Sequence, residues 1–336
     1  MRTLEPPLSA YATPPARRAW ELGELLGGLE LRYFSHGRIA LAKALQVAGI
    51  GSGEVLLPGL ICREVPEAMK AQGARILYYP VDERMRPDLE RLPGARAILA
   101  VNYFGFPQDL SPFRSYAQRA GAVLIEDNAH GLFSRDAAGA WLGTRADLGV
   151  FSLRKTLPLP NGAALAARPG RFRLAPQEAF SAPTPASYRL KQALRRTAPL
   201  LGHKPLGFLT RGLRGLKRIF NGTASEALLF MKESPSCLLS QPLTVADPGL
   251  EVERRRGLYL FAERLVGQAG GRAVFEGLPE GVSPYGFPFY AGPEELVEIS
   301  RALGREGLEC FPWPDLPPEL DMVPEHYRLW CVRFLW

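Results

Sequence analysis

An α/β fold with a mostly parallel sheet, followed by a smaller α+β unit, is what this sequence predicts, and three observations carry it. Short apolar runs alternate with amphipathic stretches of roughly ten residues from residue 38 to residue 167. Polar residues able to do chemistry stand at the ends of two of those runs, in Ile125-Glu126-Asp127-Asn128-Ala129-His130 and in Phe151-Ser152-Leu153-Arg154-Lys155. After residue 170 the alternation gives way to a connector, a basic segment and a second, shorter set of elements. Strands that alternate with helices are joined by crossovers, and crossovers make parallel pairs.

Each element follows from its local pattern. Residues 38–48 read as a helix after the turn-like Ser35-His36-Gly37, and 54–58 as a short buried strand ended by Pro58 and Gly59. A helix over 64–72 precedes a strand at 75–80. A strand at 97–102, a helix at 110–120 and strands at 122–126, 147–153 and 163–167 follow. In such a sheet, ligands gather beyond the carboxyl ends of the strands. Asp127 and Lys155 are both expected just past such an end. Residues 175–185, rich in Pro, Ala and Ser, form a connector. The basic segment reads as two helical pieces. In the second, Leu209, Leu213, Leu216 and Phe220 share one face while Arg211, Arg214 and Arg218 line another. A long helix at 251–266, a strand at 283–291, a helix at 293–306 and an apolar strand ending at Trp336 make up the last unit. The expected organisation is an N-terminal segment (1–30), a large domain (31–240, with the basic helical segment at 186–222) and a small C-terminal domain (241–336).

Composition narrows the class. With 46% hydrophobic and 22% charged residues in 336, the chain can bury a large core. It has no uninterrupted apolar run of the roughly 18 residues that a spanning helix needs. Its N-terminus lacks an apolar signal core, so a cytoplasmic location is expected. Cys62, Cys237, Cys310 and Cys331 lie far apart without Cys-x-x-Cys pairs, which excludes the usual zinc spacings and gives no sign of a disulfide framework. No metal site is expected. The net charge of +7 is local: between Glu178 and Glu226 there is no acidic residue, yet Arg189, Lys191, Arg195, Arg196, Lys204, Arg211, Arg214, Lys217 and Arg218 all fall there.

Taken singly, the strand-end motifs are ambiguous. A strand-end Asp is most often a turn or cap residue, and a lone His most often packs. Ser-x-x-Lys also marks serine β-lactamases, where it opens a helix and has partner motifs that are absent here. Together they are more specific. An aldehyde cofactor with a ring nitrogen and a phosphate uses an amine for a Schiff base, an acid to keep the ring nitrogen protonated, and phosphate ligands. Pyridoxal 5′-phosphate (PLP) is that cofactor. The turn Gly37-Arg38-Ile39 before a helix supplies backbone N–H groups suited to a phosphate dianion.

From about Phe34 to Ala167 the chain resembles the DegT/StrS family of PLP-dependent sugar aminotransferases. The matching pieces come in family order: Ser35-His36-Gly37-Arg38-Ile39-Ala40-Leu41, Leu56-Leu57-Pro58-Gly59, Val101-Asn102-Tyr103-Phe104-Gly105-Phe106-Pro107, residues 125–131 and residues 151–162. Further on, Arg254-Arg255-Arg256-Gly257-Leu258-Tyr259 is similar to the arginine-rich helix that often begins the small domain. The resemblance implies a fold-type I PLP-dependent transferase: a large domain with a mostly parallel seven-stranded-type sheet between helices, plus a smaller α+β C-terminal domain. It also implies site roles. Lys155 would form the Schiff base and shuttle the proton, Asp127 would pair with the pyridinium nitrogen, and His130 would hydrogen-bond the ring's 3-hydroxyl oxygen. Ser152, with the backbone of Gly37, Arg38 and Ile39, would hold the phosphate.

The chain departs from the family pattern in three places. Lys155 stands three residues after Ser152 where many members have five. Cys62 falls where many have an aromatic residue stacked on the ring, leaving Tyr103 or Phe104 as the stacking candidates. The lysine loop reads Pro160-Asn161-Gly162-Ala163 in place of a glycine-richer run. The family's cross-subunit asparagine is expected somewhere in 231–240. The implied activity is transfer of an amino group from an amino acid, glutamate, to a keto sugar, nucleotide-linked, in a homodimer whose sites are completed by the partner chain. Two rivals remain: PLP chemistry without transfer, such as sugar dehydration, and a non-catalytic binding or scaffold dimer. Dehydrating relatives often replace the lysine by histidine, so Lys155 argues for transfer. Residues 189–218 read either as solvated helices or as a phosphate-attracting surface suited to a membrane interface, with about 1 kcal/mol for each basic residue near an anionic leaflet. Nucleic acid is not an expected partner, since no binding motif accompanies the charge.

Overall fold

The computed structural model of the chain describes residues 15–168, 170–196, 234–320 and 323–334. The expected helix carrying Leu209 to Phe220, most of the basic segment and Trp336 lie outside the described residues.

A seven-stranded sheet forms the core of the first unit: β1 (Glu30–Phe34), β2 (Glu54–Pro58), β3 (Arg75–Tyr79), β4 (Ala97–Val101), β5 (Val123–Asn128), β6 (Leu148–Phe151) and β7 (Ala163–Ala167). The order is β1-β7-β6-β5-β4-β2-β3. From β6 through β5, β4 and β2 to β3 every pair is parallel, whereas β7 is antiparallel to both β6 and β1. Central strands read as unbroken apolar runs because both faces are covered; all five residues of β4 are buried. The helices α2 (Gly37–Val47), α3 (Glu64–Lys70) and α4 (Ser111–Ala120) accompany the sheet. Gly121, at φ +64°, ends α4 in the left-handed conformation that glycine adopts without penalty.

One strand of the sheet escapes the sequence pattern. β1 interleaves Glu30 and Arg32 with Leu31 and Tyr33, and only Phe34 is buried. It is an edge strand, and its register against β7 (Phe34 opposite Ala163) comes from tertiary pairing rather than from local pattern. The helix α1 (Leu22–Leu25) precedes it and was likewise not expected.

The second unit has the antiparallel order β10-β11-β9-β8, formed by β8 (Arg272–Ala273), β9 (Gly286–Tyr290), β10 (Cys310–Trp313) and β11 (Leu329–Arg333). After α5 (Ala186–Arg196), at the start of the basic segment, come α6 (Pro248–Gln268) and α7 (Pro293–Arg305). α6 starts three residues earlier than the apolar pattern predicts. Asp247 accepts the Leu250 N–H and Pro248 occupies the first turn, so cap chemistry rather than hydrophobicity sets the start. The expected strand at 283–291 is confined to β9, and β10 was not expected.

The two units are fastened at several points. Tyr285 N–H donates to Phe104 O (2.8 Å), Val81 N–H donates to Tyr327 Oη (3.0 Å), and Ser283 N–H donates to Ser134 Oγ (2.9 Å). Two of these contacts bring the loop before β9 against the segments that follow β4 and β5, and the Trp313 ring of β10 packs on Phe104 with centroids 4.6 Å apart.

Candidate active site

A cleft of about 710 Å³, open mouth included, lies beyond the carboxyl ends of the parallel strands. Each strand end delivers part of its wall. The segment after β2 supplies Leu60, Ile61 and Cys62, and the end of β4 supplies Asn102 and Tyr103. β5 gives Asp127 and His130, and the turn after β6 gives Ser152, Arg154 and Lys155. The start of α2 contributes Gly37 and Arg38, and the second unit contributes Trp313. Parallel pairing puts these ends side by side: Val101 stands opposite Asp127, and Asp127 opposite Val150.

Lys155 and Asp127 therefore share one cleft. Asp127 lies within β5, one residue before its end, rather than just past it as expected. It is 6% exposed, and its Oδ1 accepts the Ala129 N–H (2.9 Å). Burial raises its proton affinity, and the Lys155 amine and the Ala129 N–H only partly oppose that, so its pKa stands above the ordinary carboxylate value. His130 bridges to the lysine. Its Nε2 is 3.0 Å from Lys155 Nζ, and its Nδ1 accepts the backbone N–H of Phe104 (3.2 Å). An Nδ1 that accepts leaves the ring proton on Nε2. Burial, then the charges of Lys155 and Arg255, hold His130 well below its usual pKa, so the ring is neutral. The Tyr285 ring lies flat against it, with centroids 4.4 Å apart and planes 7° off parallel.

The other end of the cleft suits an anion. α2, eleven residues long, points its N-terminus there, and its partial positive charge favours a phosphate. Ser152 is buried beside it: a side chain at Gly37 would meet Ser152 Cβ at 3.6 Å, so glycine keeps open the space between the helix start and the hydroxyl. Arg38 and Arg154 line the same cleft, and Arg38 pairs with Glu64 (3.1 Å). His36 also lines it. Burial, then the charges of Arg154 and Arg38, bring its pKa down to about 3.

Two residues expected at the site are not in its wall. Ile39 is 3% exposed in the core, and its N–H donates to His36 O (3.1 Å), so helix geometry removes it from the phosphate end. Phe104 does not offer a stacking ring. It is fully buried, with its ring centroid 4.6 Å from that of Trp313, and it contributes its N–H to His130 instead. Tyr103 does line the cleft, with its hydroxyl donating to Leu60 O (2.8 Å). Cys62 lines it too, and burial pushes its thiol up to about 11.

Sequence reasoning assigned no role to His36, Arg154, Trp313 or Tyr285. His36 and Arg154 adjoin recognised motif residues and were legible as neighbours. Trp313 and Tyr285 are far along the chain, and no local signal ties them to the cleft. The departure at Asn161 acquires a use: its Oδ1 accepts Ser236 N–H (2.7 Å) and its Nδ2 donates to Ser234 O (3.3 Å), tying the lysine loop to the segment after the connector. Among the described residues of 234–240 no asparagine occurs; 231–233 lie outside the description.

The residues present fit PLP: an amine and a buried carboxylate in one cleft, an imidazole N–H beside the amine, and a helix start with a serine hydroxyl at the far end. The fold is that of the fold-type I PLP-dependent transferases. An aminotransferase structure, TlmJ from Streptoalloteichus hindustanus, superposes with a TM-score of 0.59 at 19% identity, covering 93% of this chain and 83% of its own. NtdA from Bacillus subtilis, solved with bound cofactor PMP, superposes at 0.55 with 16% identity, covering 93% of this chain and 71% of its own. Residues 21–164 match the DegT/DnrJ/EryC1/StrS aminotransferase family. The dTDP-4-dehydro-2,3,6-trideoxy-D-glucose 4-aminotransferase of Saccharopolyspora spinosa is 30% identical over 127 residues, 36% of this chain and 33% of that protein. The aligned stretch thus spans about one third of that curated relative. Among the described residues no helix is long and apolar enough to cross a membrane.

Proposed function

We propose that this protein is a PLP-dependent aminotransferase that moves an amino group from an amino-acid donor, glutamate, to a nucleotide-linked keto sugar. The observation that carries the reading is the shared cleft of Lys155 and Asp127, with His130 Nε2 at 3.0 Å from the amine. Bound there, PLP would supply an aldehyde for amines and a ring that accepts the electrons left when a substrate C–H bond breaks.

The remaining work belongs to the protein. Lys155 would hold the cofactor through its amine. The same amine, when free, would be the base that moves the proton released by a substrate C–H bond, a role worth about 10²–10⁴-fold in rate. Asp127 holds the proton on the ring nitrogen; its burial strengthens that contact by excluding water. His130, its Nδ1 occupied by Phe104 N–H, presents Nε2–H to the ring's 3-oxygen. Ser152 and the start of α2 orient the phosphate, and Tyr103 and Trp313 shield the cleft from water. The named activities of the sugar-aminotransferase relatives support a keto sugar as acceptor. A cytoplasmic homodimer completes the proposal, and the run of basic residues in 189–218 suits phosphates or an anionic membrane surface.

The test is direct. PLP-loaded protein reduced with borohydride should carry the label on Lys155, and glutamate alone should convert the bound cofactor to pyridoxamine phosphate. A panel of keto sugars should then reverse that conversion. A colourless protein that takes up no PLP, or a Lys155→Ala variant transaminating at the wild-type rate, overturns the reading.

A further inference from the structure

Arg255 is 1% exposed on α6, in the second unit, 100 positions along the chain from Lys155. A guanidinium has five N–H donors in a fixed fork, and the contacts of Arg255 use all five. Nε–H donates to Glu251 Oε1 (2.6 Å). Nη1 donates to Pro284 O (3.1 Å) and Tyr285 O (3.3 Å), and Nη2 to Lys155 O (3.2 Å) and Thr156 O (3.2 Å). Glu251 also takes Nε and Nη2 of Arg254 (2.7 and 2.8 Å), which locks the acid in place.

Joining the two units does not require this. Tyr327 holds Val81 and Ser134 holds Ser283 across the units, whereas the neighbouring Arg256 donates to Pro279 O (2.5 Å) and Val282 O (2.9 Å) within the second unit alone. Arg255 is set apart by the two backbones it joins: the one that carries the site lysine and the one that carries Tyr285. From Tyr285 the contacts return to the lysine. Its ring lies on His130, and its N–H donates to Phe104 O (2.8 Å). Phe104 N–H donates to His130 Nδ1, and His130 Nε2 stands 3.0 Å from Lys155 Nζ. The lysine is thus fixed at its carbonyl by Arg255, and the partner of its amine is fixed through Tyr285 by the same guanidinium.

We propose that Arg255 is a positioning residue that sets where the Lys155 amine stands relative to His130 Nε2, by holding the Lys155–Thr156 and Pro284–Tyr285 backbones in one guanidinium fork. The inference rests on the PLP reading above. It predicts that the second unit tunes the chemistry of the lysine from the back of the site, without touching substrate or cofactor.

The experiment compares full-length Arg255→Lys, Arg255→Met and, as a control on the same helix, Arg256→Ala. Each is loaded with PLP, and the pH midpoint of its visible band is titrated alongside kcat and KM for glutamate. The lysine variant keeps a charge but has only three donors. Both Arg255 variants should shift the midpoint by about half a unit or more, since the surroundings of the amine change. They should also lose about 100-fold in kcat with little change in KM, as expected for a reacting group displaced by about an ångström. Arg256→Ala should match the wild type in midpoint and kcat. Folded Arg255 variants that titrate and turn over like the wild type overturn the proposal. Should neither fold, Tyr285→Leu decides: it keeps the backbone carbonyls that Arg255 grips and removes the ring from His130, and an unmoved midpoint overturns the proposal. A wild-type protein without a PLP band fails the functional reading itself, and this inference with it.

Discussion

Phe104 adopts φ +54°, a left-handed backbone conformation uncommon for a bulky side chain, and the strain has an evident use. In that conformation its N–H reaches His130 Nδ1 while its ring fills the space against Trp313. The imidazole proton is thereby kept on the side of the lysine. Asp127→Asn removes the carboxylate proposed to hold the ring proton and should lower kcat by about 10²–10³-fold, the typical cost of losing a preorganised electrostatic partner; steady-state kinetics on folded, PLP-loaded protein checks it. Cys62 offers a second test. Its thiol, pushed up to about 11, is overwhelmingly protonated at pH 7, and the thiolate is the reactive form. Iodoacetamide should therefore modify the exposed Cys237 far sooner than Cys62, as read by peptide mass spectrometry.

Among the elements, α6 and β6 carry the most consequence for the site. α6 buries Glu251 between Arg254 and Arg255, and burial alone would raise the acid's pKa. The two guanidinium groups outweigh that and hold it below the ordinary carboxylate value. Glu251→Ala strands both positive charges and should cost about 3–5 kcal/mol of stability, measured by urea unfolding. β6 depends on glycine. A Cβ at Gly149 would fall 1.7 Å from Gly143 O, and Gly143 itself stands at φ +84° with Phe151 against it. The loop before β6 folds tightly over the strand that ends at Ser152. Gly149→Ala should cost at least about 1–3 kcal/mol and reduce PLP uptake together with stability, since the strand must shift. Strands β2 to β7 were legible because each is a compact apolar run. β1 was not, since its alternation of polar and apolar residues suits an exposed edge, and an edge position is assigned only by the neighbour it finds.

For the molecule as a whole, acid stability follows from its buried histidines. His36 and His130 both have folded-state pKa values below the unfolded 6.5, so the unfolded chain binds more protons as the pH falls. The stability they confer is present above about pH 6.5 and is lost below it, for His36 down to about pH 3. The slope approaches about 1.4 kcal/mol per pH unit for each histidine. Asp127, with its pKa raised, acts in the opposite sense and regains stability as it protonates in the folded state. Urea midpoints should fall from pH 7 to pH 5, and less steeply in His36→Asn. On sedimentation the proposed homodimer should run at twice the 37.0 kDa chain mass.

Local pattern was enough to locate most of the short buried strands, to expect a mostly parallel sheet and to pick out the residues near the strand ends. A strand announces itself by its apolar run, and Asp127, His130, Ser152 and Lys155 lie within a few residues of one. The tertiary structure alone decided which ring faces His130, which aromatic residue closes the cleft and what holds the lysine backbone. Tyr285, Trp313 and Arg255 come from more than 90 residues away in the chain, and no period in a sequence records a contact across that separation. It also moved Ile39 and Phe104 out of the wall, since a helix buries one face and a turn chooses whether a residue offers its ring or its backbone N–H.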